Sequence, residues 1–325
     1  MKKAPKIKDL IAVTLIVKDE ENNLLSALNS IKHICSQIVV VDTGSSDRTC
    51  QIASAFGCEL HFFKWNDSFA DARNYGIQFA RRPWILSLDA DEELVCDTLI
   101  KQAYLLDNDE VGGINLIIQN QLNDIENGQS LQHRYTRLFR NNPKIFFSGR
   151  IHEQVRNSIE DAGFSVLESE ITIKHFGYSK FNQEKIERNK QLLEQELALN
   201  EKDDFMLYHL AETEFAAANL ARAKQIFQNL FNSMDLSQQQ KEITRIRLGQ
   251  IHLKEGNFAD LSRCLDFKSE DENREGFRKF ILAVALLTER KFAEAKPLID
   301  SKEVHSSSLI NKSDLAQVKE LLQNY

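Results

Sequence analysis

The first 90 residues alternate between apolar runs of strand length and segments in which apolar residues recur at helical spacing. The runs predicted to be strands are residues 10–17, 38–41, 58–65 and 84–88. Helical segments separate them, and the third opens with Ser68 and Asp71 in the spacing of a capping box. Strands that alternate with helices of about ten to fifteen residues predict an α/β domain with a mostly parallel sheet.

Acidic residues directly follow two of these strands. Asp42 ends the second strand, and Asp89 and Asp91 follow the fourth. Because the carboxyl ends of parallel strands meet at one sheet edge, we expect these residues to share a crevice. Two carboxylates in one loop repel each other unless a cation lies between them, and Mg²⁺ typically takes one or two carboxylates plus substrate phosphates. Asp-x-Asp alone also fits a solvated helix N-terminus, where acidic residues are favoured.

Four ordered segments resemble the nucleotide-binding half of family 2 glycosyltransferases, which have the GT-A fold. They are VKDEENNL, VVVDTGSSDRT, ARN and ILSLDADEEL. The resemblance covers residues 10–180 and implies a Rossmann-like, mostly parallel sheet that binds a nucleotide-sugar donor, a UDP-sugar above all. Four motifs in order are far more specific than any one of them.

The resemblance also implies roles for single residues. Asp42 would hydrogen-bond the uracil edge, and Arg73 would help to hold that base. Asp89 would face the ribose, whereas Asp91 would ligate the Mn²⁺ or Mg²⁺ that bridges the diphosphate. Glu20 matches the acidic residue that often follows the first strand, and we place it on the donor side.

Residues 133–155 combine arginines with aromatic residues, a mixture that can mark nucleic-acid binding. The acidic net charge of −7 opposes that interpretation, and the strand-like alternation sends Leu138, Ile145 and Phe147 to a core. We therefore expect no nucleic-acid partner. A guanidinium forks onto phosphate oxygens, so Arg137 and Arg150 suit the leaving nucleoside diphosphate.

The segments GRIHEQV and ITIKHFGYS resemble a subgroup of family 2 that carries helical repeats, including peptide S-glycosyltransferases and some lipopolysaccharide glucosyltransferases. In that subgroup the pair matching His152 and Glu153 lies in the active site, and His175 matches a further metal or diphosphate contact. An inverting transfer needs a carboxylate base, and Glu153 is our choice. The alternatives are a surface salt bridge for Glu153 and a hydrogen-bonded core residue for His175.

A change in composition divides the chain into residues 1–181, the GT-A catalytic domain, and residues 182–325, an all-α domain poor in glycine. Three segments of the second part align through the positions Asn219, Asn257 and Lys291, which are 38 and 34 residues apart, and through Ala223, Leu261 and Ala295. This period resembles tetratricopeptide repeats. Such repeats form a concave surface that suits a protein, peptide or glycan acceptor or a neighbouring subunit of a homo-oligomer, or they brace the catalytic domain.

Composition agrees with a globular enzyme. The chain has 325 residues, of which 42% are hydrophobic and 27% charged. Its five cysteines form no Cys-x-x-Cys pair, so we expect reduced thiols and not a disulfide framework. No apolar run reaches transmembrane length, and we expect a cytoplasmic protein.

The sequence thus predicts an inverting, metal-dependent glycosyltransferase. The main alternative is a non-catalytic scaffold, in which a degenerate nucleotide-sugar fold only presents the repeats. A nucleotidyltransferase on a similar fold is a further alternative, but the glycine-rich, arginine-containing loop that it needs after the first strand is replaced here by VKDEENN.

Overall fold

The computed structural model describes residues 7–120, 132–176 and 183–323. The chain divides into two compact units, Met1–Asn182 and Gln183–Tyr325. The polar sequence ENGQS at residues 126–130 predicts a turn, and this segment lies outside the described residues.

The first unit is built on one eight-stranded sheet with the order β3-β2-β1-β4-β7-β6-β8-β5. The strands are β1 (Ile11–Val17), β2 (Gln37–Asp42), β3 (Glu59–Phe62), β4 (Trp84–Ser87), β5 (Glu92–Leu94), β6 (Val111–Asn120), β7 (Gln132–Arg140) and β8 (Ser165–His175). The first four pair in parallel, as predicted, whereas β7 runs antiparallel to both β4 and β6, and β5 runs antiparallel to β8. β6 and β8 pair in parallel. The sheet is therefore mixed, and its first four strands, the half predicted to bind a nucleotide, are parallel.

Helices cover both faces of this sheet. They are α1 (Ile7–Leu10), α2 (Leu24–Ile31), α3 (Thr49–Phe56), α4 (Phe69–Ile77), α5 (Cys96–Lys101), a 3₁₀ helix (Ala103–Asp107) and α6 (Arg156–Asp161). On one face, Leu24 and Leu28 of α2 pack with Val13 in the main core, and on the other Ile159 of α6 packs with Phe139. An α/β domain followed by a helical unit confirms the predicted fold class.

Local signals predict most of these elements well. The Ser68 hydroxyl accepts a hydrogen bond from the Asp71 N–H over 3.1 Å and so caps α4. The Asp71 carboxylate accepts from the Asn66 side chain over 2.7 Å. The sequence predicts a single helix over residues 98–106, whereas the structure divides this region into α5 and the 3₁₀ helix.

The second unit is helical throughout its regular structure. Its helices are α7 (Gln183–Leu199), α8 (Asp204–Ala216), α9 (Leu220–Leu230), α10 (Gln238–Glu255), α11 (Phe258–Cys264), α12 (Glu272–Thr288), α13 (Phe292–Ile299), α14 (Lys302–Ser306) and α15 (Lys312–Gln323). None of the helices in the described part of the chain combines the length and apolar character that a membrane span requires.

The three aligned segments form helix pairs joined by the same turn. In each turn one residue adopts a left-handed φ, of 61° at Ala218, 69° at Gly256 and 62° at Arg290. The next residue then donates its N–H to a carbonyl five positions back, over 2.8 to 2.9 Å. The aligned positions of the second helices are all fully buried: Ala223, Leu261 and Ala295. The predicted repeat is confirmed as three helix pairs.

Candidate active site

Three neighbouring parallel strands end at one edge of the sheet in polar loops. β2 ends in Asp42, β4 leads to Asp89, and β1 lies between them. These strands are almost completely buried, so charged side chains gain room only where the strands end. The strand order therefore brings Asp42 and Asp89 to the same edge.

The loops after β1 and β2 are tied together by hydrogen bonds. The Ser46 N–H donates to the Asp19 carboxylate over 2.7 Å, and the Asp19 N–H donates to the Ser45 hydroxyl over 2.9 Å. The Glu20 N–H donates to the Thr49 hydroxyl over 2.8 Å. Asp19 has a left-handed φ of 54°, a conformation that the surrounding contacts must hold. The two loops therefore form one fixed rim.

Two residues that we predict to contact the donor also build this rim. The buried Asp42 carboxylate accepts hydrogen bonds from the N–H groups of Gly44, over 3.0 Å, and Ser45. Gly44 has a φ of 113°, which a residue with a side chain rarely adopts. The Glu20 carboxylate accepts from the Asn23 side chain over 2.8 Å. Their contacts with a donor stay predictions.

Asp89, the first acid of Asp-x-Asp, lies between two arginines. Its carboxylate accepts from Arg73 over 2.7 Å and from Arg137 over 3.0 Å. Burial alone would raise the pKa of Asp89, but the two guanidinium groups outweigh it and hold the pKa far below its usual range. The cations that relieve the charge of Asp89 are thus arginines, whereas the spacing of Asp89 and Asp91 predicts a metal ion between the two acids.

Arg73 is nearly fully buried, with 6% of its surface exposed. Its Nε donates to Glu153 over 2.5 Å, Nη1 donates to the Ser87 hydroxyl over 2.8 Å, and Nη2 donates to Asp89. The guanidinium also lies 5.6 Å from the centre of the Phe147 ring. The family resemblance implies a contact with the nucleotide base, but in this structure the guanidinium donates hydrogen bonds to three protein acceptors.

A second buried carboxylate, Glu92, supports this cluster and was missed from the sequence. It lies on β5 opposite His175 of β8, and only 2% of it is exposed. It accepts from the Asp89 N–H over 2.9 Å and from Arg137 over 3.0 Å. Burial raises the pKa of Glu92. In the strand Glu92-Glu93-Leu94, Glu92 lies two positions before Leu94 and so shares its buried face, which was the one local signal of its burial.

Asp91, the second acid, faces a different partner. Its Oδ2 lies 3.3 Å from Nε2 of His175, and Nδ1 of His175 lies 2.9 Å from Oδ1 of Asn120. Burial lowers the pKa of His175, but the hydrogen bond with Asp91 and the negative charges of Asp91, Glu92 and Asp89 together outweigh it, so the pKa is raised. Asn120, at the end of β6, was also missed from the sequence, because only the pairing of β6 with β8 brings it to His175.

Glu153 belongs to a tight loop that leads into α6. Ser148 and Gln154 close this loop with two backbone hydrogen bonds of 2.9 Å. Within it, Gly149 and His152 have left-handed φ values of 94° and 52°. The side chain of Glu153 is 12% exposed and pairs with Arg73. The loop therefore delivers a carboxylate to the same cluster as Asp89.

Arg150 and His152, predicted to lie on the donor side, belong to the same loop. The Arg150 carbonyl accepts from the Phe69 N–H over 2.8 Å, which joins the loop to the start of α4. Burial lowers the pKa of His152 to about 4, and the charge of Glu153 opposes this shift only in part. The imidazole is therefore neutral at physiological pH.

The two residues predicted as metal ligands, Asp91 and His175, lie 3.3 Å apart. Among the described residues, no three His, Cys, Asp or Glu side chains are arranged to hold a metal ion by themselves. One carboxylate and one imidazole, close enough to share an ion, nevertheless suit Mg²⁺ or Mn²⁺ when substrate phosphates complete the shell. The pair fits a metal that is shared with a diphosphate.

Comparison with known proteins identifies relatives of this chain. A TPR repeat-containing protein from Synechococcus elongatus is 34% identical over 205 residues, which are 60% of this chain and 50% of that protein. The SPbeta prophage-derived glycosyltransferase SunS of Bacillus subtilis is 26% identical over 309 residues, 89% of this chain and 70% of SunS. This chain thus spans about half the length of its cyanobacterial relative.

Among solved structures, Staphylococcus aureus TarS 1-349 in complex with UDP-GlcNAc aligns with a TM-score of 0.41 at 16% identity. The alignment covers 89% of this chain and 91% of that one. Glucosyl-3-phosphoglycerate synthase from Mycobacterium tuberculosis, solved with Mn²⁺, UDP and glucosyl-3-phosphoglycerate, aligns with a TM-score of 0.41 at 13% identity. That alignment covers 58% of this chain and 79% of the synthase.

The family described as Glycosyl transferase family 2 matches residues 12–176, which include every residue of the cluster described above. This match spans half of the chain. The chain therefore belongs to glycosyltransferase family 2.

Proposed function

We propose that this protein transfers a sugar from a UDP-sugar to a peptide, protein or glycan acceptor, with inversion at the anomeric carbon and with Mn²⁺ or Mg²⁺. Membership of the family supports glycosyl transfer. The nucleotide, the metal, the stereochemistry and the acceptor are the proposed part.

One observation carries the proposal. Asp89, Asp91 and Glu153 lie in one polar cluster, which two buried arginines and His175 complete. Buried charges are costly, and a cluster of this kind persists only when every charge has a partner. Its accessible edge lies where an open α/β sheet binds ligands. The arrangement therefore supports an enzyme over a degenerate scaffold.

Glu153 is the proposed general base. It would accept the proton of the acceptor nucleophile as that group attacks the anomeric carbon from the face opposite the diphosphate, so that the sugar inverts. Held by Arg73, the carboxylate keeps one orientation and needs little rearrangement before reaction. A thiol acceptor, which ionises more readily than a hydroxyl, would depend less on this base.

Asp91 and His175 are the proposed metal ligands. A bound Mn²⁺ or Mg²⁺ supplies Lewis-acid stabilisation of the charge that develops on the leaving diphosphate. Asn120 holds Nδ1 of His175 and so directs Nε2 toward Asp91.

The donor's other parts are assigned to the residues of the rim and the Glu153 loop. Asp42 and Glu20 are proposed to contact the nucleoside, and Asp89 the ribose. Arg137, Arg150 and the neutral His152 lie on the proposed diphosphate side. The helical unit, with its three helix pairs, is proposed to bind the acceptor.

The test is hydrolysis of UDP-glucose, UDP-galactose and UDP-GlcNAc, each labelled in the sugar, by the purified protein. We expect metal-dependent release of sugar from at least one donor, and NMR of the first-formed product should show the inverted anomer. A scaffold would release no sugar from any of them. Release of the retained anomer would exclude the proposed role of Glu153.

A further inference from the structure

The guanidinium of Arg73 is held inside the protein at three points. Its Nε, Nη1 and Nη2 atoms each donate to a different acceptor: Glu153, Ser87 and Asp89. Those acceptors belong to the loop before α6, to β4 and to the loop after β4. Arg73 itself lies on α4, so one side chain joins separate parts of the domain.

Little of this guanidinium is accessible to a ligand. The residue is 6% exposed, and the Phe147 ring lies 5.6 Å from its central carbon. Three of its five N–H groups already donate to protein acceptors, and the low exposure leaves the other two little access to a nucleotide base. A base contact that displaced Glu153 would leave that buried carboxylate without its cation, which costs more than one exposed hydrogen bond to a base returns.

Glu153, in contrast, needs an orienting partner. It follows His152, whose left-handed backbone shows that the loop conformation is imposed by its surroundings. The Ser148–Gln154 pair fixes the loop backbone, but the Glu153 carboxylate itself is fixed by Arg73. A general base must lie within hydrogen-bond reach of the proton that it accepts, so its orientation affects turnover directly.

We infer that Arg73 is a positioning residue that orients the Glu153 carboxylate for catalysis and connects it to Asp89, and that it is not a nucleotide-base contact. This inference rests on the proposed function, because it assumes that Glu153 is the base. Through Asp89, the acid expected beside the ribose, Arg73 links the donor side of the crevice to the base.

Arg137 provides a matched control. It is also a buried arginine, and it also donates to Asp89, over 3.0 Å, but its second hydrogen-bonded carboxylate is Glu92 and not Glu153. Arg137→Lys therefore perturbs Asp89 in the way that Arg73→Lys does while it leaves the Arg73–Glu153 pair intact.

The experiment is a pair of double-mutant cycles on hydrolysis of the UDP-sugar that the wild type cleaves fastest. Arg73→Lys should lower kcat by about thirtyfold or more in the wild type and by less than about threefold in Glu153→Gln, because the function it supports is already lost. The effects of Arg137→Lys and Glu153→Gln on kcat should be independent, so that the double variant shows the product of the two single losses. UDP affinity of Arg73→Lys, measured by calorimetry, should stay within about threefold of the wild type.

A loss of UDP affinity of tenfold or more in Arg73→Lys, or full additivity with Glu153→Gln, would overturn the inference. If the wild type releases no sugar from any donor, the proposed function fails as well. If the wild type releases sugar but the Arg73→Lys and Glu153→Gln effects are additive, the positioning role of Arg73 is rejected and the proposed function is retained.

Two further measurements cover a poorly folded Arg73→Lys variant. Ser87→Ala removes the hydroxyl that accepts from Arg73. It should lower kcat less than Arg73→Lys does and should leave UDP affinity unchanged. In arginine-labelled protein, the Nε–H resonance of Arg73 should lie downfield in the wild type and move upfield in Glu153→Gln. An Nε–H resonance unchanged in Glu153→Gln would show that the two side chains do not pair, and would also overturn the inference.

Discussion

Nε2 of His175 lies 3.3 Å from Oδ2 of Asp91, although 84 residues separate the two in the chain. The contact exists because β5, which follows Asp91, pairs with the end of β8. It brings one carboxylate and one imidazole together at the sheet edge where Asp89 meets its arginines, and it is the basis of the first prediction.

Metal binding should depend on UDP. Two protein ligands hold Mn²⁺ weakly, whereas the diphosphate completes the shell, so calorimetry should detect tight Mn²⁺ binding only when UDP is present. Asp91→Asn should abolish this coupled binding and the turnover. Glu93→Gln is the control. Glu93, like Asp91, is an acidic residue next to Glu92, but its carboxylate accepts a hydrogen bond from the Ser26 hydroxyl. Undiminished turnover in excess chelator would contradict the prediction.

Replacement of Glu153 should separate chemistry from binding. Glu153→Gln should lower kcat by about a hundredfold or more, the usual contribution of a general base, with UDP affinity nearly unchanged. Glu160→Gln, which changes an exposed carboxylate of α6 paired with Arg156, should leave both quantities as they are. Near-normal turnover in Glu153→Gln would assign the base elsewhere.

Acid should destabilise the helical unit through Glu242. Burial raises the pKa of this α10 residue, but hydrogen bonds from Ser269 over 2.6 Å and Arg274 over 2.7 Å outweigh it and lower the pKa below 4.5. A lowered folded-state pKa gives stability that is complete above about pH 4.5 and is lost as the pH falls through the folded value. The melting temperature should therefore fall in that window.

Glu242→Gln should remove part of this acid sensitivity. At neutral pH the substitution should lower the free energy of unfolding by about 3 kcal/mol, because Arg274 is left without its buried partner. Glu294→Gln, at an exposed position of α13, is the control. A melting temperature that depends on pH equally in wild type and Glu242→Gln below about pH 4.5 would assign the effect to other groups.

The turns of the helix pairs predict stabilising substitutions. Ala218 and Arg290 adopt the left-handed conformation that Gly256 adopts in the middle pair. Ala218→Gly and Arg290→Gly should each raise the free energy of unfolding by up to about 1 kcal/mol, since glycine has no steric penalty there. Chemical denaturation of the full chain measures the free energy of unfolding of each variant and of the wild type. Destabilisation by both substitutions would show that the side chains contribute more than the strain costs.

Removal of the helical unit should separate donor from acceptor binding. A truncation that ends at Asn182, the limit of the first compact unit, should bind UDP within a few-fold of the full chain, whereas transfer to the true acceptor should be lost. Circular dichroism would verify that the truncation is folded. Unchanged transfer by a folded truncation would exclude the acceptor role.

The sequence predicts those elements that local pattern determines. The apolar runs predict β1, β2 and β4, and the position of Asn257 within its repeat predicts the start of α11. The division of the helix expected over residues 98–106 was not predicted, because apolar spacing does not distinguish an α-helix from a 3₁₀ turn over so few residues.

The sequence also names residues of the cluster without giving their partners. Asp89 was expected beside a ribose and Arg73 beside a base, yet in this structure they contact each other. Glu92 was missed because its burial depends on a three-residue strand that exists only by pairing with β8. Contacts of this kind are set by tertiary pairing, which local propensity does not report.

The pairing of β5 with β8 has a consequence for synthesis on the ribosome. Asp91 meets its histidine only after residue 175 has been made, and Asp89 acquires its second arginine only after residue 137. A nascent chain that ends earlier therefore carries unmatched carboxylates on an incomplete sheet, and such long-range pairings form slowly. Competence for donor binding should consequently arise in one late step, when the last strand of the sheet is added.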